Sequence, residues 1–177
     1  MSMTRSLKTF YINLGSDKKF PIIFGEGAFS SVNPMDLGDA TKAMIITNST
    51  VASVCSELIN RIQSSLDMDV FVYELKDGEQ YKQLDTLSEI MDACIANGLG
   101  RKDILIAVGG GVVGDITGFA ASIYLRGIPF FQVPTSLLAQ VDAAIGGKTG
   151  VNHEKGKNLI GAFYQPVKTL IDPTMLV

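Results

Sequence analysis

Three successive glycines, Gly109-Gly110-Gly111, directly follow the apolar run ILIAV and open the segment GVVGD. Glycine lets backbone approach a ligand closely. The free N–H groups and dipole of a helix start favour a phosphate or pyrophosphate. A glycine-rich junction with packing duties alone is the competing reading. The run is neither GxGxxG nor the P-loop GxxxxGK[ST]. Gly114 and Gly118, one helical turn apart, would let the following helix pack close to its neighbours. Asp115, expected in the first turn of that helix, either caps it or accepts hydrogen bonds from a ribose hydroxyl. Other polar residues also follow apolar runs: Asn48 and Ser49 after AMIIT, Glu79 and Lys82 after VFVYEL, Thr135 and Ser136 after FFQV. For the first and last pairs helix capping is an equal account. For Glu79 and Lys82 the local account is a solvated charge pair at spacing three.

A second group could hold an anionic small molecule. Asp142 falls near the end of an expected helix, where a carboxylate meets the unfavourable end of the dipole. Lys148 in GGKTG, and Lys157 and Asn158 in KGKNLIG, are bounded by glycines. Lysines on such loops suit phosphate or carboxylate recognition, against the alternative of a solvated loop. Lys148, Lys155 and Lys157 form a small basic group expected near Lys168. Arg126 ends an apolar helix, where it complements the dipole or meets a bound anion. His153 is the single histidine. With no second His or Cys beside it, it reads as an exposed or loop-structural residue, not as a metal ligand. No GxSxG or HExxH is present.

These residues need a scaffold that brings the ends of several strands together. Residues 8–14 and 19–24 read as an edge hairpin turning at Gly15-Ser16-Asp17, and Pro21 argues that its strand is not central. The short apolar runs 43–47, 70–75, 104–108 and 130–133 read as buried strands, with 168–171 as a last one. Helical periodicity covers 51–66, 80–97 and the stretch from the glycines to about Tyr124. A further helix is expected from Thr135 to near Gly146, and 147–162 is expected to be loop. Alternation of this kind predicts an α/β domain with a mostly parallel sheet.

Composition narrows the function. The chain has 177 residues and a net charge of -3. With 46% hydrophobic residues it is no disordered chain. Nucleic-acid binding is not expected, because no basic stripe accompanies the negative charge. Between Ile106 and Gly147 only Asp115, Arg126 and Asp142 are formally charged. Glycines and polar residues interrupt that stretch too often for a membrane span. The start of the chain has no apolar block of signal-peptide length. Cys55 and Cys94 fit free buried thiols of a reducing compartment, and a cytoplasmic location is expected.

Taken in order, Gly78-Glu79-Gln80-Tyr81-Lys82, GGGVVGDITGFAASIYLRG at 109–127, QVPTSLLAQVDAAIGGKTGVN at 132–152 and GKNLIGAFYQP at 156–166 resemble 3-dehydroquinate synthases. The resemblance implies a Rossmann-like sheet flanked by helices, with 1–177 as the N-terminal nucleotide-binding domain. It implies an enzyme that uses NAD and a divalent metal, zinc or cobalt. That enzyme converts 3-deoxy-D-arabino-heptulosonate 7-phosphate to 3-dehydroquinate and phosphate by alcohol oxidation, phosphate elimination, ketone reduction, ring opening and aldol closure. It also implies a homodimer.

By the same resemblance, Glu79 and Lys82 surround the adenosine ribose. Gly110, Gly111 and Asp115 hold the pyrophosphate and ribose, and Thr135 and Ser136 touch the dinucleotide. Asp142, Lys148 and Asn158 hold substrate hydroxyls and carboxylate. Lys157 lies beside nicotinamide and substrate, so that Lys148 and Lys157 also count on the cofactor side. Arg126 reaches a phosphate across the dimer interface. Asn48 stands where the family commonly has an aspartate near the cofactor ribose. The family's metal ligands, a glutamate and two histidines in a C-terminal helical domain, have no counterpart in 1–177. The isolated chain is therefore expected to be inactive. Sister cyclases acting on sedoheptulose 7-phosphate or glucose 6-phosphate, metal-dependent polyol dehydrogenases and a flavodoxin-like binding module are the rival readings.

Overall fold

A computed structural model describes residues 7–13, 15, 19–32 and 34–176. Leu14, Ser16 and Asp17 of the expected hairpin turn lie outside the described residues. Nine strands are described: β1 Lys8–Asn13, β2 Lys19–Phe24, β3 Lys42–Asn48, β4 Asp69–Leu75, β5 Ile104–Gly109, β6 Phe130–Pro134, β7 Lys148–His153, β8 Gly156–Phe163 and β9 Lys168–Ile171. The helices are a single turn α1 Pro34–Leu37, then α2 Ser49–Val54, α3 Ser56–Ser65, α4 Leu84–Ala96 and α5 Gly111–Ile123.

Seven strands form one sheet in the order β1-β2-β9-β6-β5-β3-β4. All neighbours are parallel except the β1–β2 hairpin, which sits at the edge as expected. Pro21 faces Tyr11 of β1, and pairing of β2 with β9 begins only at Ile22. The missing N–H of Pro21 therefore interrupts no ladder on the inner side.

β5 is apolar at successive positions because both of its faces are covered. Ile104, Ile106 and Val108 pack on one face, with Leu58, Ile59 and Ile62 of α3. Leu105 and Ala107 pack on the other, with Leu87 and Ile90 of α4 and Val113 and Ile116 of α5. Each large apolar side chain of this kind contributes roughly 1.5–3 kcal/mol on burial. Cys55 and Cys94 are free and buried, as read from their periodicity. No helix among the described residues is long and apolar enough to cross a membrane.

Four expectations are corrected. The segment 147–162 is not a loop: β7 and β8 pair as an antiparallel hairpin. Glycines at both strands removed the alternation that would have revealed it. The helix expected from residue 80 begins at Leu84, after a 3-10 turn over Glu79–Tyr81. The one expected up to Gly146 is a short turn that widens to a π-helix at Ala139–Ala143. Lys168 does not join the other lysines. It stands at the start of β9 and pairs with Asp36 at 2.6 Å.

At the amino ends of the strands, buried Asp103 accepts hydrogen bonds from the N–H groups of Gly100 at 2.6 Å, Lys42 at 2.9 Å and Thr41 at 3.0 Å. Burial disfavours its charge, but these N–H groups and the Thr41 hydroxyl outweigh burial and hold the carboxyl below its ordinary value. A lowered folded-state pKa gives stability that is complete above the unfolded value and is lost as pH falls through the folded one. Asp103→Ala is expected to cost about 2 kcal/mol at pH 7. Urea unfolding should show that deficit shrinking toward pH 3.

Candidate functional site at the carboxyl ends of the strands

The chain leaves β3 toward the face covered by α2 and α3, and leaves β5 toward the face covered by α4 and α5. The crevice between the carboxyl ends of β3 and β5 is thus a topological switch point, the usual ligand position in an open α/β sheet. Gly110 and the start of α5 lie there. Gly110 is the N-cap of α5, and no side chain caps it. A Cβ on Gly110 would come within 3.3 Å of the Ser136 hydroxyl, and one on Gly111 within 3.5 Å of the Ala143 Cβ. The absence of side chains keeps the first turn of a 13-residue helix open, with N–H groups that favour an anion.

The start of α2 is occupied instead. The Asn48 side chain accepts from the Val51 N–H at 2.9 Å, so the capping reading of Asn48 holds. Asp77 accepts from the Thr50 N–H at 3.1 Å, the Thr50 hydroxyl at 3.0 Å and the Ser49 hydroxyl. The Ser49 hydroxyl, the largest influence on Asp77, helps hold its carboxyl below the ordinary value against burial. Ser136 likewise caps the next helical turn, accepting from the Ala139 N–H at 3.4 Å. Buried Thr135 ties its backbone N–H to the Gly109 carbonyl at 3.0 Å.

Glu79 and Lys82 are not a mutual surface pair. Lys82 is 4% exposed, and its ammonium donates to Asp115 and, at 2.5 Å, to the Asn158 side-chain oxygen. Asp115 falls beyond the first turn of α5, so its partner is this lysine and not the helix start. Burial pushes the Asp115 carboxyl above its ordinary value, with Lys82 opposing that rise through its hydrogen bond and charge. Glu79 accepts from the Asn152 amide at 2.8 Å and stands 3.6 Å from the Lys157 ammonium. The Asn152 hydrogen bond, helped by Lys82 and Lys157, lowers the Glu79 carboxyl against the effect of burial.

The β7–β8 hairpin brings Lys157 and Asn158 to this network by lying against α5. Gly118 makes that approach possible, since a Cβ there would meet Thr149 Cγ2 at 2.5 Å and Phe130 at 3.0 Å. The hairpin is also tied by the Asn152 N–H to the Lys82 carbonyl at 2.7 Å. Between the 3-10 turn and the hairpin tip runs an open groove of about 410 Å³, lined by Glu79, Lys82, Asn152, His153 and Lys157 among others. His153 is exposed at the tip, its Nδ1 accepting the Lys155 N–H at 3.2 Å.

The structure therefore gathers Glu79, Lys82, Asp115, Lys157 and Asn158 into one network beside Gly110, Gly111, Thr135 and Ser136. Asp142 and Lys148 are exposed, with no side-chain partner among the described residues. Arg126 is not gathered. It follows the far end of α5, a helix about 20 Å long by its rise per residue, and is exposed without a described partner. Leu125 and Arg126 both take left-handed backbone, at φ 49° and 70°, a conformation costly for residues other than glycine. Two residues bonded to these candidates, Asp77 and Asn152, escaped the sequence reading. Asp77, two residues past β4, was discoverable by the same strand-end rule as Glu79. Asn152 carried no signal, because its strand was not recognised. Among the described residues no group of three or more His, Cys, Asp or Glu could hold a metal ion.

Known proteins share the sequence and the fold of this chain. Residues 72–177 match the family model described as 3-dehydroquinate synthase N-terminal. The chain is 48% identical over 168 residues to the 3-dehydroquinate synthase of Geotalea uraniireducens, covering 93% of this chain and 47% of that protein. It is 46% identical over 173 residues to that of Hydrogenovibrio crunogenus, covering 96% and 47%. The chain thus spans about half the length of the curated relatives it matches.

Among solved structures, a 2-deoxy-scyllo-inosose synthase complexed with carbaglucose-6-phosphate, NAD+ and Co2+ superposes with TM-score 0.86 at 32% identity. The match covers 96% of this chain and 47% of that one. A 2-epi-5-epi-valiolone synthase from Streptomyces hygroscopicus with NAD+ and Zn2+ superposes at 0.79 and 30% identity, over 94% and 46%. An iron-containing alcohol dehydrogenase shares the fold, at 0.73 and 14%. With a mostly parallel sheet whose switch point carries an open glycine-led helix start, and with more than half its length matched by one family model, the chain belongs to the 3-dehydroquinate synthase N-terminal family.

Proposed function

We propose that the chain is the NAD-binding half of a 3-dehydroquinate synthase. The observation that carries the reading is the uncapped start of α5 at the switch point, beside a buried lysine–carboxylate pair. Gly110 and Gly111 would take the dinucleotide pyrophosphate on backbone N–H groups. Asp115, Glu79 and Lys82 would take ribose hydroxyls, with Thr135 and Ser136 beside them and Asn48 contributing a neutral amide. Bound NAD would supply a transient hydride acceptor, so that a substrate alcohol becomes a ketone and the neighbouring proton becomes acidic enough for phosphate to leave.

Lys148 and Asn158 would orient the carboxylate and hydroxyls of a phosphorylated keto-acid, together with Asp142. Lys157, held near Glu79, would place its ammonium between cofactor and substrate. Arg126 lies too far along α5 to join its own site, and would serve the phosphate of a second copy in a homodimer. The described residues do not fit a metal centre, so a zinc or cobalt ion would depend on residues of the longer protein. Leu137, Leu138 and Val141 on the helical turn, with Leu159 and Phe163 on the hairpin, leave exposed apolar side chains beside the site. The other half of the longer protein would cover them. Identities of 46–48% to 3-dehydroquinate synthases, against 30–32% to the sister cyclases, favour this substrate over theirs.

Isothermal titration of the 177-residue chain with NAD is expected to give saturable one-to-one binding. Incubation with NAD and 3-deoxy-D-arabino-heptulosonate 7-phosphate is expected to release no phosphate. Absence of NAD binding would sink the cofactor reading, and phosphate release would sink the reading of the chain as half a site.

A further inference from the structure

Three residues close a ring of hydrogen bonds between the 3-10 turn and the β7–β8 hairpin. The Asn152 N–H donates to the Lys82 carbonyl at 2.7 Å. The Asn158 N–H donates to the Asn152 side-chain oxygen at 2.9 Å. The Lys82 ammonium donates to the Asn158 side-chain oxygen at 2.5 Å. From that ring the Asn152 amide nitrogen reaches out to Glu79 Oε1 at 2.8 Å. A backbone N–H can only donate and a carboxylate can only accept, so these two neighbours together dictate which way the Asn152 amide points. Asn158 meanwhile holds a left-handed backbone at φ 54°, a conformation that asparagine tolerates better than most residues but that still needs outside support. The bond from its N–H to Asn152 supplies that support.

We propose that Asn152 is a positioning residue: its amide clamps Glu79, on the cofactor side, to Asn158, on the substrate side, so that the two halves of the site are set by one side chain. The inference rests on the NAD reading above but reaches a residue with no ligand role of its own. Aspartate in its place keeps shape and acceptor but loses the donor, and sets a carboxylate against Glu79. Two carboxylates at that spacing cannot both ionise freely. On acidification a shared proton restores a donor between them. The charged and titratable groups facing this position are Glu79, Lys157 and Lys82 directly, Asp115 behind Lys82, and His153, Glu154 and Lys155 at the hairpin tip.

The test uses the 177-residue chain as wild type, Asn152→Ala and Asn152→Asp at pH 8 and pH 5.5. NAD affinity is read by titration calorimetry and amide exchange at Asn158 by NMR, each relative to wild type at the same pH. Asn152→Ala should weaken NAD about tenfold and speed Asn158 exchange about tenfold at both pH values. Asn152→Asp, which keeps the acceptor, should leave Asn158 exchange within about twofold of wild type at both pH values, but should match the NAD loss of Asn152→Ala at pH 8 and return to within about twofold of wild-type affinity at pH 5.5. A merely space-filling residue would show no such recovery. Unchanged Asn158 exchange in Asn152→Ala would overturn the clamp, as would faster exchange with unaltered NAD affinity. If wild type itself fails to bind NAD, the cofactor reading falls, while the exchange data still decide whether Asn152 holds Asn158.

Discussion

Lys82→Met is expected to destabilise the fold by about 3 kcal/mol at pH 7, because it strips a buried carboxylate of its counter-charge. Lys82 and Asp115 have side-chain exposures of 5% and 22%, so solvent screens the pair little. Burial already pushes the Asp115 carboxyl up, and Lys82 is what opposes that push. Without the ammonium the carboxyl rises further. A carboxyl whose folded-state pKa lies above its unfolded value binds its proton more tightly in the folded chain. Stability of the variant should therefore increase as pH falls from 7 through that raised value, where wild type shows a weaker trend.

Urea unfolding at pH 7 and pH 5 reads this directly. The double variant Lys82→Met/Asp115→Asn should recover at least half of the loss, because no unpaired charge remains buried. NAD affinity should stay low in both, since the acid proposed above to bind ribose is misplaced in one and missing in the other. Equal stability of Lys82→Met and wild type at pH 7 would show that Asp115 is solvated in solution, contrary to the packing around it.

Gly161→Ala is expected to cost about 2 kcal/mol and at least tenfold in NAD affinity. Gly150 and Gly161 face each other across the β7–β8 pair. A Cβ on Gly161 would fall 2.1 Å from the Thr149 carbonyl oxygen and 2.9 Å from the Gly150 Cα. Both are backbone atoms, so no side-chain rotation relieves the clash and the strands must part. Parting them moves Lys157 and Asn158 away from Glu79 and Lys82, which converts a packing fault into a binding fault. Gly100→Ala is the control, since its Cβ would meet only ordinary contact at 3.5 Å, and should change stability by no more than about 0.5 kcal/mol. Calorimetric NAD titration alongside thermal melts separates the two effects. A Gly161→Ala chain that binds NAD like wild type would show that the hairpin does not carry the site.

Much of the scaffold was readable from the chain alone. The strands at 104–108 and 130–133 follow from apolar runs buried on both faces, and α3 follows from apolar residues at three- and four-residue spacing. Even the packing role of Gly114 and Gly118 was legible, because it needs only helical geometry. The hairpin was not. In KTGVNHEKGKNLIGAF only Thr149, Val151, Ile160 and Ala162 turn toward α5, the positions between them include Gly150, Gly161 and the exposed Leu159 and Phe163, and most of β8 is exposed. No alternation of apolar and polar residues survives there to be read.

The site divides the same way. The alternation of strands and helices, the glycine-led helix start and the polar residues at strand ends were determined by the sequence itself, because period and steric freedom act over a few neighbouring residues. Which polar groups meet was decided only by the tertiary structure. Lys82 finds Asp115 33 positions away and Asn158 76 positions away, while Glu79, three residues from Lys82, turns instead to Asn152 and Lys157. Arg126 stands at the other end of the helix that begins at Gly111. Those pairings depend on how far β7 can approach α5, a distance set by the missing side chain of Gly118 and by the register of two glycine-bearing strands. Such distances arise from packing between elements remote in sequence, and no local pattern encodes them.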